Sequence, residues 1–162
     1  MCTVKYKSFS IKEAQNKLEK YCAYQERSHK EVVEKLKKIN MASIDIDQIV
    51  GSLIQRNYLN ENRFAKSFTR GKFKLKSWGK KRIKFELKHH NVSEYNIKDA
   101  LDQIDDDEYI KVLNSLGEKI WKSSKGKDFY KRKSRFISSL EYRGWERNLI
   151  FNQLDKIQTK KK

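Results

Sequence analysis

The 162-residue chain contains no proline, only six glycines and only two cysteines. Proline breaks helix interiors because it lacks a backbone N–H and clashes with the preceding turn, so its absence permits long helices without proving them. Cys2 and Cys22 lack the spacing of metal ligands and have no partner histidines, which argues against a zinc site and favours a reducing cytoplasm. No apolar run approaches the about 18 residues that cross a membrane, and we expect neither a membrane span nor a signal peptide.

Apolar residues are also scarce, at 37% of the chain, whereas globular domains usually contain about 45–50%. Disorder is nevertheless not expected, because 12% of the residues are aromatic and the apolar positions are periodic. This composition predicts thin helical layers that each bury one stripe, arranged as one domain or a short array of small units.

The apolar residues recur in an internal repeat that is anchored on Asn40, Asn91 and Gly144, which are 51 and 53 residues apart (91−40 and 144−91). Five positions around each anchor are apolar in all three copies. Along the repeat these positions hold Val32, Ile83 and Phe136; Leu36, Leu87 and Leu140; Ile46, Ile97 and Ile150; Val50, Leu101 and Leu154; and Leu53, Ile104 and Ile157. Repetition at this period is typical of stacked supersecondary units.

The spacing within each copy predicts two helices with a tight stop between them. The first two apolar positions are one helical turn apart, and the last three follow at steps of four and three residues. The Asn or Gly anchor between them is a residue type that tolerates the left-handed conformation at a helix end.

A further amphipathic helix is predicted before each pair of helices. In the first copy Ser10 begins a capping box, and Ser28 begins another at the next helix. The predicted apolar stripes are Ala14, Leu18 and Cys22 in the first copy; Phe64, Phe68, Gly71 and Leu75 in the second; and Ile110, Leu113, Leu116 and Ile120 in the third. The sequence therefore predicts an all-α fold of three tandem three-helix repeats at 10–58, 59–105 and 106–158, followed by a basic tail at 159–162.

The net charge of +17 (38 basic minus 21 acidic residues) is unevenly distributed along the chain. Residues 66–88 contain ten basic residues and one acid, and residues 119–135 contain eight and one. Residues 94–108 contain seven acids and one lysine. Segregated basic stripes are the usual electrostatic footprint of nucleic-acid binders, whereas the alternative is a lysine-rich face that only water contacts.

Three rows of basic residues recur at every fourth position, and like charges at this spacing destabilise an isolated helix by about 0.2–0.5 kcal/mol per pair. The rows are Lys66, Arg70 and Lys74; Lys80, Lys84 and Lys88; and Lys127, Lys131 and Arg135. We predict that at least one row contacts phosphate. The candidate residues for binding nucleic acid or a nucleoprotein filament are Lys66, Arg70, Lys72, Lys74, Lys76, Lys80, Lys81, Arg82, Lys84, Lys88, Lys127, Lys131, Arg132 and Arg135.

Aromatic residues are interleaved with these cations at Phe73, Trp78 and Phe85. Stacking on bases is one interpretation of them, and filling gaps between helices is the other. For Trp78 we favour packing. Arg63 and Glu86, whose neighbours Phe64 and Leu87 are expected to be buried, are interpreted as partners between helices rather than as DNA contacts.

No catalytic constellation is visible, and we expect no enzyme activity, metal or cofactor. The histidines are His29, His89 and His90, of which the last two end a predicted helix, where imidazole interacts favourably with the helix dipole. The acids at 105–108 suggest a Mg²⁺ site of a nuclease, but they fit the start of a helix better, and no acids from separate elements join them.

Residues 58–68, YLNENRFAKSF, resemble the GYLDDERFA-like string that opens the middle repeat of RecX regulatory proteins. Residues 79–87, GKKRIKFEL, are similar to that family's GPxRIxxEL, and residues 27–36 to its RxxSxxELxxKL run. The resemblance covers residues 14–104 well, and beyond them mainly the apolar pattern and the YRGW at 142–145. Lys80 stands where proline is frequent, and Asn40 and Asn91 where glycine is usual, but these residues suit a helix start and two helix ends.

The resemblance implies an extended, curved molecule that binds in the groove of the RecA filament. RecA and single- and double-stranded DNA are its implied partners, and modulation, usually inhibition, of RecA ATPase and strand exchange in homologous recombination, DNA repair and the SOS response is its implied role. We expect a cytoplasmic monomer, although the sequence itself decides neither the oligomeric state nor the direction of the effect on RecA.

Two other classes of protein remain open. A stand-alone basic helical DNA- or RNA-binding protein explains the charge without RecA, and it is distinguished by tight, salt-steep binding to naked nucleic acid. A pure interaction scaffold binds no nucleic acid.

The repeat places Leu87 in the core of the middle unit, as it does Leu36 and Leu140 in the others. Leu87→Ala is expected to lower the free energy of unfolding by about 2–5 kcal/mol, because it removes buried methyl groups and leaves a cavity. Urea denaturation followed by circular dichroism measures this change. A variant that unfolds at the parent's urea concentration would show that the register of the repeat is wrong.

Overall fold

The protein, for which we use a computed structural model, is described at residues 9–124 and 128–159. Within these residues it forms nine α-helices and no strands. The helices are α1 (Ile11–Tyr24), α2 (His29–Lys38), α3 (Ser43–Gln55), α4 (Glu61–Lys76), α5 (Lys80–His89), α6 (Glu94–Asp102), α7 (Asp106–Ser123), α8 (Phe129–Tyr142) and α9 (Arg147–Thr159). The predicted fold class, an all-α helical repeat, is confirmed.

Side chains next to the helices set most helix starts. Both predicted capping boxes are present: Ser10 accepts from the backbone of Glu13, Ser28 accepts from that of Glu31, and each glutamate accepts from its serine's backbone N–H. The side chains of Asn60, Ser93, Asp105 and Asp128 cap α4, α6, α7 and α8. These local bonds satisfy backbone donors that have no partner within the helix.

The three anchors of the repeat stop the second helix of each group. Asn40 and Asn91 both have a φ of 58°, and Gly144 has a φ of 80°. All three therefore occupy the left-handed region, as their residue types predicted.

The apolar positions of the repeat face the interior. Every one of them is buried except Val50 and Leu101, which are half-buried. The stripe of α1 is confirmed at all three positions, where Ala14, Leu18 and Cys22 are buried.

The predicted stripe of α4 is wrong at Leu75, which is 82% exposed, and Gly71 is only half-buried. The buried residues of α4 are Phe64, Ala65, Thr69 and Phe73. The buried face lies further round the helix because α4 packs against α6 as well as against α5. In α7 Leu113 is buried as predicted, whereas Ile110, Leu116 and Ile120 are half-buried beside the buried Tyr109, Gly117 and Trp121.

The helices contact one another within α1–α3, α4–α6 and α7–α9, which we call the first, second and third helix groups. The buried apolar residues nevertheless form two cores rather than three. The first core contains residues of the first group together with Leu59. The second core is shared by the second and third groups. The division of the chain at 58/59 and 105/106 stays a prediction.

The second and third groups meet through backbone atoms at what we call the Gly79–Gly144 junction. The N–H of Gly79 donates to the carbonyl of Arg143 at 2.8 Å, and that of Lys81 to the carbonyl of Gly144 at 3.2 Å. The N-terminus of α5 therefore lies against the C-terminal turn of α8. A Cβ atom built on Gly79 would lie 2.3 Å from the oxygen of Gly144, so only glycine permits this approach.

Two aromatic side chains close this junction. The ring of Tyr109 lies 4.4 Å from that of Trp145, centroid to centroid, and its hydroxyl accepts from the backbone N–H of Lys80 at 2.8 Å. The indole of Trp145 donates to the carbonyl of Ser77 at 3.0 Å. Burial raises the pKa of Tyr109, so its hydroxyl keeps its proton and donates to Glu146 at 2.8 Å.

The first and second groups meet through side chains at what we call the Ser28–His90 junction. The Ser28 hydroxyl lies 3.1 Å from Nδ1 of His90, and the Lys30 ammonium donates to the carbonyl of His89 at 2.8 Å. The N-terminus of α2 thus lies against the C-terminus of α5, just as α5 meets α8. The three second helices of the groups therefore follow one another head to tail.

Among the described residues, no helix is both long and apolar enough to cross a membrane.

Gly79→Ala is expected to reduce the free energy of unfolding by about 1–3 kcal/mol, because its Cβ must push two backbone segments apart. The matched control is Gly71→Ala in α4, where a Cβ meets nothing within 4 Å. That variant is expected to gain about 0.5–1 kcal/mol from its higher helix propensity. Urea denaturation of both variants measures these changes. If Gly79→Ala unfolds at the same urea concentration as the parent protein or at a higher one, the backbone packing at the junction is contradicted.

Candidate nucleic-acid interface

All five lysines of the first two predicted rows are paired with the acidic run at 94–108. The ion pairs are Lys66–Asp99 (2.8 Å), Lys74–Glu108 (3.6 Å), Lys80–Asp106 (3.0 Å), Lys84–Glu94 (3.2 Å) and Lys88–Glu94 (2.5 Å). These pairs form because α6 packs against α4 and α5, and α7 begins beside the start of α5. The charge that is segregated along the sequence is thus partly recombined in space.

This pairing alters the argument from the charge rows. Like charges at every fourth position predict a gain from binding a polyanion, but acids of the same chain already offset most of the charges in the first two rows. Exposed ion pairs contribute only about 0–1 kcal/mol each to stability, so these lysines have acid partners that they can exchange for another anion at little cost. Hydrogen bonds from Lys88 and Lys84 lower the pKa of Glu94, which therefore stays ionised at neutral pH.

A second set of the predicted cations has no acid partner among the described residues. Arg70, Lys76 and Lys81 are exposed on α4 and α5, and Lys131 and Arg135 are exposed on α8. Lys127 lies outside the described residues. The positive charge available to a ligand is therefore concentrated on fewer side chains than the sequence suggested.

Two of the predicted cations form a stack with aromatic rings. The Lys72 ammonium lies 5.0 Å from the ring centroids of both Phe68 and Trp78. The Arg82 guanidinium lies 4.1 Å from the centroid of Trp78 and 4.5 Å from that of Tyr142. We call these five residues the stacked column, an arrangement in which each ring attracts a cation to its face.

The stacked column also connects helix groups. Arg82 donates to the carbonyl of Tyr142 at 2.9 Å, so it bonds α5 to the end of α8. Trp78 is half-buried and packs against the second core, in agreement with the packing role favoured for it. Sequence reasoning did not include Phe68 or Tyr142 among the site residues, although Tyr142 belongs to the YRGW string at 142–145.

Phe85 is the large aromatic that the α5 surface presents to solvent, with 69% of its area exposed. It is flanked along the helix by Lys81, Lys84 and Lys88, and we call these four residues the α5 face. Phe73, by contrast, is buried in the second core. An apolar ring surrounded by cations is the composition that binds single strands by stacking and charge.

Arg132, a further predicted cation in α8, is used internally. It donates twice to the carbonyl of Trp121, at 3.1 and 2.7 Å, and its guanidinium lies 4.0 Å from the centroid of that ring. These contacts hold the start of α8 against the end of α7. Lys131 and Arg135 remain the exposed basic residues of this segment.

Arg63 forms contacts between helix groups, as its interpretation required. Its guanidinium donates to Glu26 at 2.5 Å and to both the side chain and the carbonyl of Asn57 at 2.8 and 3.0 Å. Sequence reasoning named neither partner, because both lie outside any periodic pattern. For Glu86 no ion pair is found among the described residues.

No cluster of three metal-ligating side chains occurs among the described residues. His90 packs against the rings of Phe64 and Phe68, at centroid distances of 5.2 and 5.5 Å. This burial lowers the pKa of His90, opposite to the effect expected from the helix dipole. The acids at 105–108 begin α7, where Asp105 accepts from the backbone of Glu108.

Comparison with known proteins identifies similar sequences. The family described as RecX, second three-helix domain, matches residues 60–101. The regulatory protein RecX of Chlorobium phaeobacteroides is 30% identical over 132 residues, which cover 82% of this chain and 85% of that protein. The regulatory protein RecX of Lactobacillus johnsonii is 30% identical over 143 residues, 83% of this chain and 51% of that protein. The chain thus spans about half the length of the Lactobacillus relatives that it matches.

Solved structures share the fold. The crystal structure of RecX from Lactobacillus salivarius superposes with a TM-score of 0.78 at 23% identity, covering 92% of this chain and 97% of that one. A second crystal structure, of a regulatory protein RecX, gives a TM-score of 0.80 at 21% identity and covers 90% and 71%.

The lowered pKa of His90 makes stability depend on pH. Because the folded protein favours neutral imidazole, the contribution of His90 is complete above the ordinary histidine pKa of about 6.5 and is lost as the pH falls below it. Melting temperatures between about pH 7.5 and pH 5.5 are expected to fall more for the parent protein than for His90→Gln, which has no proton to gain. Equal falls in the two proteins would contradict the burial of a neutral His90.

Proposed function

Because the chain belongs to the RecX family of regulatory proteins, we propose that it regulates RecA by binding the RecA–DNA filament and catalyses no reaction itself. The expected effect is inhibition of the ATPase and strand-exchange activities of RecA in the bacterial cytoplasm. The chain spans about half the length of several relatives, so the RecA partner and the inhibition are our proposals for this chain.

Family membership supports RecA as the partner, and the observation that supports contact with DNA is the α5 face, where Phe85 is exposed among Lys81, Lys84 and Lys88. A filament presents phosphates alongside protein surface, and a helix with an exposed ring and cations has groups for both. Lys84 and Lys88 already contact the carboxylate of Glu94, and the phosphodiesters of DNA are anions that accept the same charge-assisted hydrogen bonds. Exchange of one anion for the other costs little because exposed pairs are weak.

The stacked column extends this surface toward the third helix group. Lys72 and Arg82 are each held against aromatic rings, which limits the conformations that their side chains lose on binding. Arg82 donates one hydrogen bond to Tyr142 and keeps other N–H groups for a phosphate. We infer that the column and the α5 face form one binding surface, whereas Lys131 and Arg135 extend it in the third group.

A second candidate function is a DNA- or RNA-binding protein that needs no RecA. The net charge of +17 and the α5 face favour it equally well, because neither feature requires a protein partner. The two candidates differ in what the protein binds more tightly: the filament or the naked strand.

The experiment titrates the protein into RecA assembled on single-stranded DNA and measures ATP hydrolysis and strand exchange. Wild-type protein is expected to lower both, and Phe85→Ala is expected to weaken the effect by roughly 5–150-fold in the concentration required, as loss of about 1–3 kcal/mol of stacking does. The control is Lys98→Ala on α6, a lysine whose side chain is 81% exposed and which pairs with Asp102 rather than with a residue of the α5 face. If saturating wild-type protein changes neither activity but binds naked DNA, the second candidate function replaces the first.

Neutralising an acid tests the same surface in the opposite direction. Glu94→Gln removes the shared partner of Lys84 and Lys88 and is expected to increase affinity for single-stranded DNA. Each additional phosphate contact steepens the slope of log K against log salt by about 0.7. Fluorescence anisotropy across a salt series measures both values. Unchanged affinity and slope would place the two lysines outside the interface.

A further inference from the structure

The two junctions between helix groups differ in the kind of contact that holds them. At the Gly79–Gly144 junction, backbone hydrogen bonds and a shared apolar core join the second and third groups. At the Ser28–His90 junction, the described residues show no backbone-to-backbone hydrogen bond between 9–59 and 60–159, and the first core is separate. Without shared apolar burial, the first group lacks the main force that keeps packed elements from moving.

The contacts that do cross the Ser28–His90 junction are made by polar side chains. Besides Ser28 with His90 and Lys30 with the carbonyl of His89, His29 lies 4.0 Å from Glu61. The ion pair between Arg63 and Glu26 completes the set, together with the bonds from Arg63 to Asn57. Such contacts are exchanged for water with little net change, so they permit more than one arrangement.

The same junction leaves buried polar atoms without partners. Oε2 of Glu26, Nε of Arg27 and Nε2 of His29 are inaccessible to water and have no hydrogen-bond partner among the described residues. Each of these atoms has lost its contact with water without gaining a hydrogen bond, and this loss disfavours the arrangement of the two groups seen here. Separation of the two groups would return water to Glu26, which lines the cleft between them, and to His29, which lies beside Glu61.

A cleft of about 430 Å³ lies beside these atoms and gives the groups room to move. Its walls come from Glu26 and Glu31 of the first group and from Phe68, Lys72 and Leu75 of α4. Leu75, which is 82% exposed, lines the cleft and belongs to neither core. The cleft therefore separates the two groups where apolar contact would otherwise join them.

The chain crosses between the groups at a single peptide bond. Leu59 is buried in the first core, and its neighbour Asn60 caps α4 through a bond from the backbone of Arg63. Leu59 thus belongs to the first group, and Asn60 belongs to the second. A change of the backbone angles at this point turns the groups relative to each other without disturbing either core.

We propose that residues 9–59 turn as a rigid body against residues 60–159 about the Leu59–Asn60 link, with the ion pair between Arg63 and Glu26 as the latch of the closed arrangement. The second and third groups move together because their junction is built from backbone and core. This inference is independent of the proposed function, since it concerns the protein alone.

Double electron–electron resonance on the full chain tests the hinge, with Cys2→Ser and Cys22→Ala removing the native thiols. One label pair, at Asn16→Cys in α1 and Tyr95→Cys in α6, spans the proposed hinge. The control pair, Tyr95→Cys and Asn148→Cys in α9, spans the Gly79–Gly144 junction; all three positions are exposed. The hinge pair is expected to show a broad or bimodal distance distribution, and the control pair a narrow one.

Glu26→Gln then opens the latch while keeping the shape of the side chain. It is expected to shift the hinge pair toward longer distances and to leave the control pair unchanged. Glu19→Gln is its matched control, because Glu19 pairs with Arg56 inside the first group. Equally narrow distributions for both pairs, unmoved by Glu26→Gln, would overturn the proposal, as would equal broadening of both pairs. The comparison of the two pairs in the protein with an intact junction decides the matter even if Glu26→Gln is unstable.

Discussion

The backbone contact between the start of α5 and the end of α8 determines how the α5 face is oriented relative to the third helix group. Gly79 has no side chain with which to cap α5, so the N–H groups of Gly79 and Lys81 bond to the carbonyls of Arg143 and Gly144, and that of Lys80 bonds to the Tyr109 hydroxyl. Two glycines are needed because a Cβ on Gly79 would lie 2.3 Å from the oxygen of Gly144, and a Cβ on Gly144 would lie 2.3 Å from the backbone nitrogen of Arg82. Once this contact forms, Tyr109 and Trp145 close over it, and the orientation of α5 is decided.

The helices α2, α5 and α8 follow one another head to tail through two junctions of the same geometry, but the contacts that hold the two junctions differ in strength. In both junctions the donors at a helix start approach the acceptors at another helix end, which aligns the helix dipoles favourably. At the Gly79–Gly144 junction the contact is made by backbone atoms and is covered by an apolar core. At the Ser28–His90 junction Ser28 and Glu31 already cap α2, so the contact between the two helices is made by Lys30 and His90. A helix that supplies its own cap depends less on its neighbour, and the groups it joins are held less firmly.

The electrostatic surface depends on the same packing. With α5 held against α8, and α6 against α4 and α5, the acidic run at 94–108 lies alongside the lysine rows. The remaining cations are those that point away from this run or are drawn onto aromatic rings. For a nucleoprotein ligand the stacked column and Lys81 would therefore be available at once, whereas Lys84 and Lys88 would first have to leave Glu94. The surface is more localised than a net charge of +17 implies.

Local patterns in the sequence determined the helices, their capping boxes, the left-handed residues at 40, 91 and 144, and nearly all the core positions. Each of these features depends on residues within one or two helical turns, where spacing alone decides which side chains meet. The resemblance at 58–68 and 79–87 identified the family for the same reason, because it is carried by contiguous strings.

Only the tertiary structure decided that Leu75 is exposed, that Lys84 and Lys88 share Glu94, that Arg82 is held between Trp78 and Tyr142, and that three repeats form two cores. These outcomes depend on helices brought together from distant parts of the chain. An amphipathic period shows that a helix has a buried side but not which helix covers it. A charge row shows its own sign but not which distant acid will face it.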